Sequence, residues 1–339
     1  MTTRMTRIKM QLSQALLSLA LAVAFLAAPA PAQTWGPSVS FDPPESVATS
    51  VMGINASGTV VGYYYDEANH GHGYVRDPAG GIATFDAPGS IGTFPQSIDK
   101  AGSVTGSYED SNQNYYGFVR DAAGVITEFN PTGSLFATPT SINSKGTITG
   151  YDSTGGFVRY PDGAIDTFSG LRPLAINDFG LITGAEADGP KAFVRDQSGQ
   201  TRLFNGPAGS RHTTGTSIND AGVITGYYEL DNIYSPFVRD VGGTFTSFGM
   251  GDGIDTFLGP YINAQGYIVG TYCLRTATFC DWYGFVREPG GTILPYVDFP
   301  GSVATFLSGM NASGMIAGAY QDTNTRTHGF VEQFQPADR

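Results

Sequence analysis

Five acidic side chains, Glu109, Asp110, Glu186, Glu229 and Asp231, stand in stretches that read as loops. Two carboxylates on either side of a glycosidic bond can act as its acid and base. Nothing in the spacing pairs any two of these five, and acidic loop tips are commonly just solvated. Aromatic residues lie near them: Tyr64, Tyr116, Tyr234, Trp282 and Tyr283. A ring of this kind can cover the apolar face of a sugar while carboxylates and amides bond its hydroxyls. Tyr151, Tyr228 and Tyr272 recur close behind a strand glycine and read as packing residues. Tyr234 and Trp282 fall outside that slot and are the better ligand candidates. His70-x-His72 would set two imidazoles on one side of a strand, with Asp66 or Glu67 as a third metal ligand. Against a metal, His72 and His328 both directly precede Gly-Tyr or Gly-Phe, where Tyr116 and Tyr283 stand elsewhere, which marks a structural slot. The Asp- and Asn-rich tips suit weak calcium binding, though none has the spacing of a dedicated site, and no other cofactor is expected. No nucleophile elbow, phosphate-binding glycine loop or Ser/His/Asp arrangement is present.

The elements that must position these residues come from an imperfect repeat. Thr216 to Phe248 shows one unit: a short β-rich segment to Asn219, a turn closed by Gly222, a second strand from Val223 to Tyr228, a third from Phe237 to Asp240 and a fourth from Thr244 to Phe248. The Asn-x-x-Gly and Asp-x-x-Gly spacings suit tight hairpins, since Asn and Asp bond their own backbone and Gly takes a left-handed conformation without penalty. The first anchor recurs at Asn55, Asp99, Asn143, Asn177, Asn219, Asn263 and Asn311. The third-strand anchor recurs at Tyr74, Phe118, Phe157, Phe193, Phe237, Phe285 and Phe330. Fourth-strand anchors fall near Phe85, Phe129, Phe168, Phe204, Phe248 and Phe299, one fewer than the others, and Val39 to Pro44 supplies the missing copy at the front. The expected fold is all-β: a seven-bladed β-propeller of four-stranded blades, closed by an N-terminal strand that completes the last blade and hides its edge. An open solenoid with a loose N-terminus is the alternative.

Both tight turns of a unit lie at one end, so the longer, more variable segments gather at the other, where binding sites usually sit. The third and fourth units are clipped there, at Tyr151 to Thr154 and Ala185 to Asp188, which should leave an open cleft between taller neighbours. Six arginines, Arg76, Arg120, Arg159, Arg195, Arg239 and Arg287, share one repeat position that Glu332 takes in the last unit. Such regularity suggests packing, with pairing to a neighbouring acid.

Residues 1–32 read as a secretory signal: Arg4, Arg7 and Lys9, an apolar run from Ala15 to Ala28, and Ala30-Pro31-Ala32 before a cleavage at Gln33. A retained anchor is the alternative, and residues 33–339 form the single repeat domain. Cleavage removes three cations and no acid, taking the net charge from -12 to -15. That charge repels phosphate backbones and argues against a nucleic-acid partner. No later segment is apolar enough to insert in a membrane. In an exported chain Cys273 and Cys280 are expected to form a disulfide.

The units S-I-N-D-A-G-V-I-T-G-Y-Y and G-F-V-R-D, with F-D-A-P-G-S at 85 to 90, resemble bacterial secreted proteins carrying the HAF-type extracellular repeat, over most of residues 39–334. The naming motif itself departs, with Lys191-Ala192-Phe193 nearest to it. The resemblance implies export and a repeat β fold, and brings no catalytic residues. The expected function is a secreted, monomeric binding or adhesion module for an extracellular glycan, matrix ligand or another exported protein. The alternative is a polysaccharide hydrolase or lyase that uses loop carboxylates or tyrosines.

Overall fold

The structure, a computed structural model, describes residues 34–249, 254–275 and 280–335. The signal segment expected at 1–32 lies outside the described residues. Every regular element among those described is a β-strand. Thr34, Trp35, Phe334 and Gln335 belong to a small unit in which Thr34 pairs with Gln335 and Trp35 with Phe334, their rings 5.1 Å apart. Gly36–Gln333 form the main unit.

The main unit repeats one antiparallel group of four strands. The first group is Ala48–Ile54, Val60–Tyr65, Gly71–Arg76 and Ile82–Phe85; the second is Gly92–Ile98, Val104–Glu109, Tyr115–Arg120 and Ile126–Phe129. A single parallel pair, Gly71 with Gly92, joins these two. The third is Ala137–Ile142, Ile148–Asp152, Gly155–Arg159 and Ile165–Phe168; the fourth is Leu171–Ile176, Ile182–Glu186, Ala192–Arg195 and Thr201–Phe204. The fifth is His212–Ile218, Ile224–Leu230, Ile233–Arg239 and Phe245–Ser247; the sixth is Ile254–Ile262, Ile268–Arg275, Cys280–Arg287 and Ile293–Val297. The last has Ala304–Met310, Met315–Gln321 and Thr327–Gln335 in sequence order, and its fourth place is taken by Val39–Phe41, with Phe41 opposite Gly329.

The turns follow from the sequence. Asn219 accepts the amide of Val223 on its side chain and that of Gly222 on its carbonyl, and Gly222 sits at φ 76°. Asp240 does the same for Thr244 through its carboxylate. Each first strand then breaks register, as between Gly215 and Ser217, and the sixth does so twice; a bulge of this kind re-aims the residue it skips. The opposing second strand must lie close there. A Cβ on Gly226 would stand 1.9 Å from the Thr214 carbonyl, so only glycine fits. First strands also begin earlier than the pattern suggests: the fifth starts at His212 rather than Thr216.

The core is one aromatic slot repeated. Tyr74, Phe118, Phe157, Phe193, Phe237, Phe285 and Phe330 on the third strands are fully buried. Each such burial contributes roughly 1.5–3 kcal/mol. Many meet the fourth-strand phenylalanine of the group before, edge on: Phe85 with Phe118, Phe129 with Phe157 and Phe204 with Phe237, each at 6.0 Å. Phe41 meets Tyr74 at the same 6.0 Å.

The six repeated arginines do not seek acids. Each guanidinium lies over that same preceding phenylalanine, Arg76 on Phe41 at 4.9 Å and Arg239 on Phe204 at 4.7 Å. Cation–π attraction, with the guanidinium hydrogen-bonded to a backbone carbonyl, replaces the expected ion pair. The exception corrects the sequence reading. In the sixth group Val297, not Phe299, stands opposite Gly284, where other groups have an aromatic ring. Glu332 takes the arginine position in the last group, and Phe299 stacks on Tyr320 at 3.8 Å while keeping a ring contact with Phe330 at 5.3 Å.

The asparagine anchors form a chain of hydrogen bonds. Asn143, Asn177, Asn219 and Asn263 each donate from Nδ2 to the carbonyl of the anchor in the following group, at 3.0–3.2 Å. Asn311 donates to the Asn55 carbonyl at 3.3 Å, and Asn55 to that of Asp99 at 3.1 Å. Asp99 has no amide, so the chain stops there. Its neighbour Lys100 instead reaches the carboxylates of Asp178 and Asp220.

Candidate functional site

Alternation along the second strands decides which tyrosines are free to bind. Residues two after the strand glycine point between groups. Tyr64 is buried, Tyr108, Tyr228 and Tyr272 likewise. Each stacks against the residue that precedes the Gly-Tyr or Gly-Phe pair on the third strand, or against a nearby ring. Tyr64 stacks on His72 at 5.1 Å, Tyr108 on Tyr116 at 5.5 Å, Tyr272 on Tyr283 at 5.9 Å and Tyr320 on His328 at 5.1 Å. Tyr64, Tyr116 and Tyr283 are therefore occupied in these stacks. Burial, followed by the charges of Asp86 and others, raises the Tyr64 hydroxyl above its usual range.

The histidines of this slot use their nitrogens on carboxylates. His72 Nδ1 lies 3.0 Å from Asp86 and Nε2 3.5 Å from Asp66. His328 repeats the arrangement, with Nδ1 2.6 Å from Asp42 and Nε2 3.6 Å from Asp322. His70 is exposed, 3.5 Å from Asp66. Among the described residues no three His, Cys, Asp or Glu side chains are grouped to hold a metal ion.

The residues one after the strand glycine behave differently. Tyr151 and Tyr227, with Ala185 between them in sequence order, line an open cleft of about 620 Å³. Arg172 and Leu174 of the fourth group's first strand, the segment Glu186 to Gly189, and His212, Thr213, Thr214 and Tyr234 of the fifth group complete it. It lies over the two clipped units. The fifth group forms a wall because its second hairpin runs on to Leu230 and Ile233, turning through Asp231 and Asn232 at φ 53° and 63°. This is a tight turn on a long hairpin, where the sequence had suggested a loop.

The cleft mixes rings with charges of both signs. Tyr234 meets Tyr227 edge on at 5.6 Å. Burial, then the Glu229 carboxylate, raises the Tyr234 hydroxyl above its usual range, so it is a hydrogen-bond donor at neutral pH. Glu229 Oε2 stands 3.8 Å from His212 Nε2. Arg172 lies 5.8 Å over the Tyr151 ring. Glu186 lines the cleft and also accepts the Lys191 amide at 3.1 Å.

Of the sequence candidates, the structure brings Glu186 and Tyr234 together, with Glu229 beside Tyr234. Glu109, Asp110 and Asp231 do not line the cleft. Asp110 closes its own turn, accepting the amides of Asn112 and Asn114, and those bonds hold its carboxyl below the usual range against the opposing effect of burial. Trp282 packs on Phe306 at 5.8 Å. Cys273 and Cys280 form the expected disulfide, Cα atoms 5.5 Å apart. Tyr227, Arg172 and His212 were not singled out from sequence. The usable signal was parity: Tyr227 and Tyr228 are neighbours, yet one faces the cleft and the other the core.

The sequence matches no family model, and no curated protein matches it. Solved structures do resemble it. A streptogramin B lyase structure superposes with a TM-score of 0.62 at 12% identity, covering 91% of this chain and 100% of that one. A catalytically inactive virginiamycin B lyase from Staphylococcus aureus with quinupristin gives 0.61 at 14% identity, covering 87% and 98%. The β-propeller domain of the Trilobed protease from Pyrococcus furiosus gives 0.62 at 8%, covering 87% and 97%. At such identities the likeness shows the fold alone, a β-propeller.

Proposed function

We propose that this chain is a secreted, monomeric β-propeller module that binds an extracellular glycan in the cleft beneath Tyr234. The observation that carries the reading is the convergence of Tyr151, Tyr227 and Tyr234 with Arg172, Glu186, Asp188 and His212 in one open cavity. Rings supply flat apolar surface, and the charged and hydroxyl groups between them supply donors and acceptors for sugar hydroxyls. Ligand sites of this build are concave, with a few placed polar groups.

The frame is a seven-bladed ring closed by Val39–Phe41 acting as the fourth strand of the last blade. The Asn311 bond to the Asn55 carbonyl and the pairing of Phe41 with Gly329 support this. Export is supported by the basic-then-apolar N-terminal sequence, the HAF-type repeat resemblance and the disulfide, which persists in oxidising compartments.

The second reading is a polysaccharide lyase or hydrolase. It rests on His212 and Glu229, 3.8 Å apart beside Tyr234. One experiment addresses both. Residues 33–339 are incubated with neutral and acidic polysaccharides, with retention followed by affinity electrophoresis and polymer length by mass spectrometry. The expected result is retention on a neutral polymer, weakened about tenfold by Tyr234→Ala, with chain length unchanged. Shortened chains would favour the enzyme. Neither retention nor shortening refutes both readings and leaves a protein partner.

A further inference from the structure

The cleft does not end at Tyr151. Six half-buried or exposed rings run from it across the third, second and first groups, each meeting the next. Tyr151 meets Phe136 at 6.5 Å, Phe136 meets Tyr115 at 6.1 Å, and Tyr115 meets Phe94 at 6.4 Å. Phe94 then meets Tyr63 at 5.4 Å and Tyr65 at 6.4 Å. Only Tyr151 of these lines the cleft itself.

The core does not require this row. The buried core rings belong to the opposite strand parity, whereas Phe136 stays 44% exposed beside Leu135 at 63%. The row is also built to stay in place. Phe94 lies across Gly71 and Gly92, the parallel pair that joins the first two groups, and a Cβ on either would stand 2.5–2.8 Å from its ring. Any larger residue at either position would displace Phe94. Glu109 stands opposite Tyr115 across the strand pair, which sets a carboxylate beside the rings.

We propose that the row Tyr63–Tyr65–Phe94–Tyr115–Phe136–Tyr151 is an extension of the cleft that binds a linear polysaccharide without anionic groups along its length. This rests on the glycan reading of the cleft and deepens it from a pocket for a short sugar to a track for a chain. Several rings in line, with hydroxyls and a carboxylate among them, match a ribbon of pyranoses that offers apolar faces and hydroxyl edges in turn. Charge selects against uronate or sulfate polymers, because the chain carries a net -12 and Glu109 lies on the track. A globular protein partner would meet a row one ring wide rather than the broad patch that stable protein interfaces bury.

The test uses the full chain without its first 32 residues and three neutral ladders: cello-, xylo- and N-acetyl-chito-oligosaccharides from dimer to about octamer. Affinity for one ladder is expected to rise with each added sugar until the track is filled. Phe136→Ala and Tyr63→Ala, confirmed as folded by their melting midpoints, should each lower affinity for the longest oligomer about fivefold. The dimer, held in the cleft, should respond far less. Equal affinity for short and long oligomers, untouched by either substitution, overturns the track and leaves the cleft reading standing. No binding of any oligomer by the unsubstituted chain overturns both.

Discussion

Phe41→Ala tests whether the N-terminal strand is part of the frame. Phe41 is 9% exposed and packs in one core group with Val51, Val60, Tyr64, Tyr74, Ala317 and Val331. Its ring lies against Gly329, where an added Cβ would stand 2.6 Å away, and carries the Arg76 guanidinium at 4.9 Å. Truncating a buried phenylalanine costs about 3–5 kcal/mol. With a little of this ring exposed, and a cation–π contact of about 0.5–1 kcal/mol included, about 3–4 kcal/mol is expected. In a chain of this length that is a fall of about 5–6 °C in the melting midpoint. Phe129→Ala is the internal control: it stands opposite Gly117 and under Arg159 at 5.1 Å, in the equivalent slot of the second group. Both variants are unfolded in urea, followed by tyrosine fluorescence. The seam reasoning requires similar losses. A loss below about 1 kcal/mol for Phe41→Ala beside the full loss for Phe129→Ala would refute it, because the strand would then be an appendage.

Asp99→Asn should stabilise the chain by about 1 kcal/mol in the same urea assay, because the new amide can donate to the Asn143 carbonyl and fill the gap in the anchor chain. Glu332 is buried without an aromatic partner, and that burial, opposed by Ser38, raises its carboxyl above the usual range. A raised carboxyl adds stability below its unfolded value of about 4.3 and loses it as pH rises through the folded value. Glu332→Gln should therefore raise the melting midpoint at pH 7 and have less effect near pH 4. The turn carboxylates Asp66, Asp110, Asp240 and Asp322 carry the opposite sign: backbone amides hold them low. Their contribution is present above about pH 4 and disappears as pH falls through their lower folded values, which an acid titration of the melting midpoint checks. Removing the disulfide with Cys273→Ser should cost about 2.5 kcal/mol on loop-closure grounds, since it joins residues 7 apart.

The repeat was legible because each anchor answers to a local demand. Asn-x-x-Gly makes the turn at Asn219 to Gly222, and the buried third-strand phenylalanines mark a period that composition alone does not hide. The role of the arginines was not legible. Their partner, the fourth-strand ring of the preceding group, lies 27–39 residues upstream, and no spacing rule points to it. The pairing beside Phe299 was equally hidden. Phe299 meets Phe330 at 5.3 Å, as other fourth-strand phenylalanines meet the next third-strand ring, but Val297 is the residue opposite Gly284.

The candidate site divides along the same line. The sequence placed a cleft over the clipped third and fourth units because loop length can be read directly. It could not say which of two adjacent tyrosines faces that cleft. Tyr227 and Tyr228 have the same chemistry and differ only by one step of strand alternation, which reverses the face. The phase of that alternation depends on pairing with the third strand: Gly226 opposite Phe237 forces Tyr227 to the cleft and Tyr228 toward Phe245, 5.7 Å away. Tyr64 and Tyr63 divide in the same way in the first group. A repeat that keeps glycine before two aromatics thus carries a core residue and a surface residue side by side. Substitution at the core position should cost stability in every blade, whereas substitution at the surface position can change the ligand and leave the frame intact.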